Sequence, residues 1–311
     1  MTRPGLEPLI GAHISISGGV SLAFERGAAA GCSAMQIFTK NATRWDAPPL
    51  DSGEVSRFRD EQARTGIGPV VSHGSYLINL ASPDPALLER SRKAFLAEIE
   101  RAAALGLPLV ITHPGAHMGA GVEAGLARIA ASLDWLDERT EPGAPLVCLE
   151  NTAGPGTVLA GDFAHLGTIF GLVRNRKRLA VCLDTCHAHA AGYDLTQPET
   201  YQATLAALES AVGTGTIRAI HLNDAKGERG SRLDRHEHLG RGQIGLECFR
   251  LFMNDSRFAG VPKILETPKE EGDIQMDPVN LGILRDLIDV KPVLPTPGRQ
   301  PKKVQVQGAR P

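Results

Sequence analysis

The stretch Ala180-Val181-Cys182-Leu183-Asp184 places a carboxylate directly after a short apolar run, and this arrangement recurs along the chain. Eight apolar runs end in a residue that can hold a metal ion or a phosphate group. These runs are Leu9–Ile16 with His13, Met35–Phe38 before Thr39-Lys40-Asn41, Pro69–Ser72 before His73, Leu109–Thr112 before His113, Leu146–Leu149 before Glu150, Ala180–Leu183 before Asp184, Ile217–Ile220 before His221, and Lys263–Leu265 before Glu266.

Segments of helical character separate these runs, among them Ser91–Leu105, Leu126–Leu136 and Ala203–Val212. Strands that alternate with helices are typical of a parallel sheet, and eight such units favour a closed barrel over an open sheet. A parallel barrel collects the C-terminal ends of its strands at one mouth. The sequence therefore predicts a single (β/α)8 TIM barrel over residues 1–290 whose mouth is a pocket for several metal ions.

Composition supports a globular protein and separates a tail from the barrel. Of the 311 residues, 42% are hydrophobic and 22% are charged, which is typical of soluble globular chains. Residues 291–311 hold five prolines and five basic residues without an acidic one. This composition predicts a disordered C-terminal tail.

The expected location is the cytoplasm. The first eight residues carry Pro and Glu and have no apolar core typical of a signal peptide. No apolar stretch approaches the roughly 18 residues of a membrane-spanning helix. We therefore expect no membrane association.

The five cysteines do not predict a disulfide framework, because an odd number spread over a long chain is atypical of one. Cys182 and Cys186 flank Asp184 and are candidate zinc ligands. The preferred interpretation is that the cysteines are packed in the interior, since Cys148 and Cys182 lie within apolar strands.

The residues at the strand ends require cations. Glu150, Asp184 and Glu266, gathered at one mouth, would be costly to bury without positive charge. Imidazole and carboxylate ligands without thiolate suit zinc or manganese. A further set of candidate metal ligands comprises His187, Asp234 and His236. Asp234 and His236 are two residues apart, so in an extended loop their side chains point the same way.

Longer motifs carry a resemblance to a known family. They are G-A-H-I-S-I-S-G-G at 11–19, Q-I-F-T-K-N at 36–41, S-H-G-S-Y-L-I-N-L-A at 72–81, H-P-G at 113–115, L-E-N-T-A-G at 149–154, C-L-D-T-C-H-A-H-A-A-G-Y-D at 182–194, H-L-N-D-A-K at 221–226, D-R-H-E-H-L-G at 234–240 and L-E-T at 265–267. In this order, from Gly11 to about Asp289, the chain resembles endonuclease IV. These are abasic-site DNA repair endonucleases with three zinc ions in an α/β barrel.

The resemblance implies three metal sites formed by nine residues, with Zn²⁺ at each and Mn²⁺ as a substitute at some of them. His73 and His113 would hold the first ion, and Glu150 would bridge it to the second. The ligands that complete the second ion are Asp184, His221 and Glu266, and those of the third are His187, Asp234 and His236.

The implied activity is hydrolysis of the phosphodiester bond 5′ to an abasic site in double-stranded DNA. A zinc-bridged hydroxide would attack the phosphorus, leaving a 3′-hydroxyl and a 5′ deoxyribose phosphate, with Glu150 as the catalytic bridge. Trimming of blocked 3′ ends is a further activity that the resemblance permits. We expect a monomer, which suits an enzyme that bends a long substrate.

Four residues match DNA contacts of the family. Tyr76 corresponds to a residue that enters the duplex beside the abasic gap, and His13 to a phosphate contact. The family commonly reads K-N-x-R-x-W after the second strand. Here Asn41 keeps its place, while Arg44 comes one position later.

Two alternatives stay open at the level of sequence. A metal-dependent sugar isomerase or epimerase of the related barrel group would also use Glu150, Asp184, His221 and Glu266. The set His187, Asp234 and His236 has no purpose in a one-metal isomerase and separates the two. A non-catalytic DNA-binding relative would be expected to have lost ligands, and all nine are present. The net charge of −2 does not by itself favour a nucleic-acid partner. Three bound divalent ions would make the total charge positive, and all of the added charge would lie at the strand ends.

Overall fold

A computed structural model of the protein describes residues 8–289 and contains a closed barrel of eight parallel strands. The predicted (β/α)8 TIM barrel is confirmed. The strands are β1 (Ile10–Ile14), β2 (Met35–Phe38), β3 (Val70–His73), β4 (Leu109–Thr112), β5 (Leu146–Glu150), β6 (Leu179–Asp184), β7 (Ile217–His221) and β8 (Lys263–Leu265). Each strand pairs with its neighbours along the chain, and β8 closes the barrel against β1, with Ile10 opposite Lys263.

Helices follow every strand and surround the barrel. They are α1 (Ala23–Ala30), α2 (Ser52–Thr65), α3 (Pro85–Leu105), α4 (Val122–Asp137), α5 (Phe163–Leu172), α6 (Thr185–Ala191), α7 (Pro198–Val212), α8 (Leu246–Asn254) and α9 (Met276–Asp286). Strand β6 is followed by both α6 and α7. Short antiparallel strands also pair Asp224–Ala225 with His236–Glu237 in the loop after β7.

The helices begin earlier than the apolar pattern predicts. Helix α3 starts at Pro85 rather than Ser91, because the Asp84 side chain accepts hydrogen bonds from the amides of Ala86 and Leu87 and proline suits the first turn. Helices α4 and α7 likewise begin four and five residues before the predicted starts. Strand β1 is shorter than the predicted run Leu9–Ile16.

The apolar core has two parts. Inside the barrel lies a small cluster of Val71, Leu109, Ile111, Cys148, Ala180, Cys182 and Ala219. A larger cluster fills the space between the strands and the helices. All five cysteines are buried and form no disulfide, so the prediction of packed cysteines is confirmed.

Over residues 8–289, no helix is both long and apolar enough to cross a membrane. The predicted tail, 291–311, lies outside the described residues, so the domain boundary at residue 290 stays a prediction.

Candidate metal centre

The candidate site lies at the C-terminal mouth of the barrel, where the strand ends meet. His73, Glu150, Asp184 and His221 are the last residues of β3, β5, β6 and β7. His113 and Glu266 directly follow β4 and β8. The strand register sets neighbours side by side, as Asp184 lies opposite His221. The predicted strand-end residues therefore converge because the barrel is closed and in register.

The two carboxylate oxygens of Glu150 face two different groups of side chains. Oε2 lies 3.0 Å from His73 Nε2 and 3.3 Å from His113 Nε2. Oε1 lies 3.1 Å from His221 Nδ1. The same His221 nitrogen is 3.2 Å from Glu266 Oε2. Glu150 is fully buried between the two groups.

Asp184 joins the second group and also begins the helix that carries a third. Its Oδ2 is 3.7 Å from His221 Nδ1, while its Oδ1 accepts a 2.7 Å hydrogen bond from the His187 amide and caps α6. His187 Nε2 lies 3.2 Å from Asp234 Oδ1, and His236 Nε2 lies 3.5 Å from the same oxygen. Asp234 keeps its side chain 46% exposed, so the third group is open to solvent.

Each group is compact enough for one ion. In the sets His73–His113–Glu150, Glu150–Asp184–His221–Glu266 and His187–Asp234–His236, one ligand atom per residue lies within 4.8 Å of all the others. The structure thus brings together all nine predicted ligands in the three predicted sets. Imidazole and carboxylate donors in this number are typical of zinc and manganese sites.

Three of the imidazoles form a hydrogen bond between Nδ1 and a backbone carbonyl. The pairs are His73 Nδ1 with the Gly74 carbonyl at 2.7 Å, His187 Nδ1 with that of Asn151 at 2.9 Å, and His236 Nδ1 with that of Glu266 at 3.0 Å. Because a carbonyl only accepts, each Nδ1 carries a hydrogen, so Nε2 is the nitrogen of each ring that can give a lone pair to a metal ion. This is the usual support of metal-binding histidines. His236 Nε2 is buried without a hydrogen-bond partner among residues 8–289, as a metal-facing nitrogen would be.

The crowded charges shift the titration of the site. Burial disfavours protonated His221, but the carboxylates of Glu266 and Glu150 outweigh burial and raise the pKa of His221 to about 9. At His73 and His187, too, burial lowers the pKa, but the neighbouring carboxylates outweigh it, and the pKa values of both residues are raised. Burial raises the pKa of Glu150, but His221 and the other imidazoles around this carboxylate together outweigh burial and hold that pKa well below its usual range. In the absence of metal, protons on the imidazoles compensate the buried carboxylates.

Two buried amide side chains that the sequence analysis did not single out connect the acidic ligands. Asn223 Nδ2 donates to Asp184 Oδ2 at 2.7 Å, and Asn223 Oδ1 accepts from the Glu266 amide at 2.7 Å. Asn151 Oδ1 accepts from the Asp184 amide at 2.8 Å. Both asparagines lie next to strand ends, in L-E-N and H-L-N, and this position is the signal that could have identified them.

Tyr76 and His13 lie beside the metal-ligand groups. Tyr76 is 64% exposed, and its ring centroid lies 5.7 Å from that of His73 and 6.2 Å from that of His113. His13 on β1 is mostly buried, and its Nε2 has no hydrogen-bond partner within the described part of the chain. The structure therefore puts a projecting aromatic ring and an unpartnered imidazole nitrogen at the mouth.

Asn41 and Arg44 form an exposed turn after β2. Asn41 Oδ1 accepts from the Thr43 amide at 2.9 Å and from the Thr43 hydroxyl at 2.8 Å, while the Arg44 side chain is exposed. Lys40, the residue before Asn41, is buried. Its Nζ lies 3.0 Å from Glu98 Oε1 on α3 and donates to the Arg44 carbonyl at 2.7 Å.

Glu98 links this turn to the loop that carries Tyr76. Its two carboxylate oxygens accept from the Ser75 amide at 3.2 and 3.1 Å, and the Ser75 hydroxyl donates to the Ala42 carbonyl at 2.5 Å. Because the Lys40–Glu98 pair is fully desolvated, loss of one partner would leave an uncompensated charge. The pair thus holds the two exposed loops in a fixed relation.

Comparison with known proteins identifies the family. A family model described as "Xylose isomerase-like TIM barrel" matches residues 24–286. "Probable endonuclease 4" of Chloroflexus aurantiacus is 51% identical over 281 residues, 90% of this chain and 98% of the relative. The chain belongs to the endonuclease IV family. The solved endonuclease IV from Thermus thermophilus matches with a TM-score of 0.78 at 37% identity, covering 90% of this chain and 98% of that one.

The endonuclease IV resemblance inferred from the motifs is therefore confirmed. A D-tagatose 3-epimerase-like protein of known structure also matches, with a TM-score of 0.69 at 20% identity, covering 89% of this chain and 96% of that one. At this identity the likeness shows the shared barrel alone, because one fold hosts many activities.

We predict that zinc loading releases protons from this endonuclease IV family member. With a pKa of about 9, His221 holds a proton at pH 7 that a metal must displace, so at least that proton leaves on binding. Zinc affinity should therefore rise as the pH rises from 6 towards 9. A pH-stat titration of metal-free protein with zinc measures the release.

The substitution His117→Gln, outside the nine ligands, is the control and should leave this release unchanged. Zinc binding at pH 7 with no proton released would contradict the assignment of His221 to the metal-ligand groups.

Proposed function

We propose that the chain hydrolyses the phosphodiester bond 5′ to an abasic site in double-stranded DNA, leaving a 3′-hydroxyl and a 5′ deoxyribose phosphate, as part of base excision repair. The observation that carries the proposal is the presence of three groups of metal-ligand residues around one carboxylate, Glu150, at the mouth of the barrel. Membership of the endonuclease IV family supports the same activity.

The donor set fits three divalent cations, which we propose to be Zn²⁺, with Mn²⁺ able to replace it at some sites. His73, His113 and Glu150 would hold one ion, Glu150 with Asp184, His221 and Glu266 a second, and His187 with Asp234 and His236 the third. When bound, such ions lower the pKa of a coordinated water and neutralise charge on a phosphate undergoing hydrolysis.

The residues of the chain supply the geometry for this chemistry. Glu150 fixes the first two groups relative to each other because one rigid carboxylate faces both. Asp234 leaves the third group open towards solvent, from which a phosphate can approach. His13 presents its unpartnered Nε2 at the same mouth, where it can donate to a phosphate oxygen.

The exposed loops supply the contacts to duplex DNA. Tyr76 projects from above His73 and His113 and can occupy the gap left by a missing base, as aromatic side chains do when inserted between base steps. Asn41 and Arg44 lie on the neighbouring turn, which the buried Lys40–Glu98 pair holds in place. This arrangement favours recognition of a distorted duplex rather than of sequence.

Several further properties belong to the proposal. The chain is expected to act as a monomer in the cytoplasm, associated with the nucleoid during repair, and to trim blocked 3′ ends. A sugar isomerase or epimerase is the alternative, because a protein of that class shares the barrel and the group around His221 would suit such an enzyme equally well. The group of His187, Asp234 and His236, together with the exposed Tyr76, favours the nuclease.

The deciding experiment is cleavage of an end-labelled duplex with one abasic site, with both product ends mapped. The expected result is a single cut on the 5′ side leaving a 3′-hydroxyl, abolished by chelation and restored by zinc. An intact duplex of the same sequence is the control substrate and should stay uncut. If fully metal-loaded protein leaves the abasic duplex intact, the nuclease proposal fails and sugar isomerisation becomes the leading alternative.

Glu150→Gln should lower the cleavage rate by more than about a hundredfold, because an amide is a poor ligand for two cations at once. Glu100→Gln, on the exposed side of α3, is the matched control and should retain full activity. Rates are measured under single-turnover conditions alongside metal content. Near-normal cleavage by the Glu150 variant with full metal occupancy would rule out the bridging role.

Tyr76→Ala should weaken binding to the abasic duplex by about 1–3 kcal/mol, the usual loss when an aromatic stacking partner is removed. Metal content should not change, since Tyr76 is not among the nine ligand residues. Leu172→Ala, 52% exposed at the end of α5, is the control of similar exposure. Equal affinities of the Tyr76 variant and the unmodified protein, measured by fluorescence anisotropy, would exclude the wedge role.

A further inference from the structure

Gln36 is a completely buried amide on β2 that reaches three side chains of the site. Its Oε1 lies 2.8 Å from His221 Nε2. Its Nε2 lies 2.6 Å from Glu266 Oε1 and 2.8 Å from His13 Nδ1. Gln36 stands opposite His13 in the register of β1 and β2, so its position follows from the barrel.

The three partners fix which way the amide points. A carboxylate oxygen accepts hydrogen bonds, so the group 2.6 Å from Glu266 must be the NH₂ of Gln36. The carbonyl oxygen then faces His221 Nε2, which must carry a hydrogen to donate to it. Once the extra proton of the metal-free ring has left, His221 Nδ1 has the lone pair, and this nitrogen faces Glu150, Glu266 and Asp184.

The same NH₂ group also decides the state of His13. One of its hydrogens is used by Glu266, and the second points to His13 Nδ1 at 2.8 Å, a closer contact than the 3.4 Å from that nitrogen to Glu266 Oε1. His13 Nδ1 therefore accepts, and the hydrogen of the neutral ring is on Nε2. That is the buried nitrogen without a partner in the described structure.

We propose that Gln36 is a positioning residue that selects the tautomers of two histidines. It directs the His221 Nδ1 lone pair to the metal-ligand group and leaves His13 Nε2 as a hydrogen-bond donor towards the mouth. One amide thus couples a metal ligand to a contact for a substrate phosphate. The role of His13 rests on the proposed function, whereas the role of His221 requires only that the group of Glu150, Asp184, His221 and Glu266 binds a metal ion.

Two substitutions separate positioning from packing. Gln36→Met keeps the length of the side chain and removes both the acceptor and the donors. Gln36→Glu keeps an acceptor for His221 Nε2 but, as a carboxylate, offers no donor to His13 or Glu266. Gln62→Met on α2 is the matched control, since Gln62 lies far from the mouth. A packing role would change the free energy of unfolding and leave the histidine ring states unaltered.

The first readout is zinc affinity, measured by competition with a chromophoric chelator and by metal content per chain. We expect Gln36→Met to weaken the affinity of the most affected zinc site about 10- to 100-fold, as loss of a hydrogen bond behind a metal-binding histidine does. Gln36→Glu keeps the acceptor for His221 Nε2 and should bind zinc more tightly than Gln36→Met. If the methionine variant does not fold, Gln36→Glu serves for the His13 ring, which should lose its fixed tautomer because the donor is gone. Unchanged zinc affinity in Gln36→Met would overturn the proposal.

The second readout is ¹⁵N NMR of zinc-loaded protein labelled in its histidine rings, with signals assigned through His13→Gln and His221→Gln. The expected spectrum shows His221 protonated on Nε2 and His13 protonated on Nε2. In Gln36→Met, the His13 signals should shift to a mixture of tautomers, whereas Gln62→Met should match the unmodified protein. A hydrogen on His221 Nδ1, or His13 signals that do not change in Gln36→Met, would overturn the proposal.

These measurements use no DNA, so their outcome does not depend on whether the protein is a nuclease. A protein that shows the expected ring states and loses zinc affinity in Gln36→Met, yet leaves abasic duplex intact, would retain the role of Gln36 towards His221 and lose the proposed function. A protein that cleaves abasic duplex while its Gln36→Met variant binds zinc as tightly as before would retain the function and lose the positioning role.

Discussion

The carboxylates of Glu150, Asp184 and Glu266 lie among the imidazoles of the metal-ligand groups at the open end of the barrel, with Glu150 at their centre. Removing several negative charges from water is costly unless positive charge accompanies them. Protons on His221 and its neighbours can supply that charge, and so can cations bound at the same nitrogens. Proton and metal content are therefore linked. The carbonyl groups behind the imidazoles and the amide of Gln36 determine which nitrogen of each ring takes part.

A second constraint joins this centre to the surfaces that would meet DNA. The Lys40–Glu98 pair is buried beneath the turn of Arg44 and the loop of Tyr76 and hydrogen-bonds to the backbone of both. Arg101 of α3 donates to the Pro48 carbonyl at 2.6 Å and steadies the same segment. Side chains on mobile loops would have to be ordered on binding, and a fixed loop avoids part of that cost. The exposed residues are thus held by interactions that are themselves hidden from solvent.

Much of this structure could be predicted from the sequence, and the predictions that failed did so for physical reasons. The strand ends could be found because His73 and Glu150 interrupt apolar runs, and closure of the barrel brings such ends together. The start of α3 was missed because the apolar pattern begins later than its cap at Asp84. Gln36 was missed because a neutral amide within a strand has no distinctive pattern. The burial of Lys40 against Glu98 could not be predicted, since the two residues are distant in sequence.

Anomalous diffraction from a zinc-loaded crystal, recorded on both sides of the zinc absorption edge, tests most directly whether the nine strand-end and loop residues form three metal sites rather than one. Three peaks are predicted, one within each group of ligands, with Glu150 between the first two. A single peak beside His221, with no density between His187, Asp234 and His236 at saturating zinc, would contradict the account and favour a one-metal enzyme.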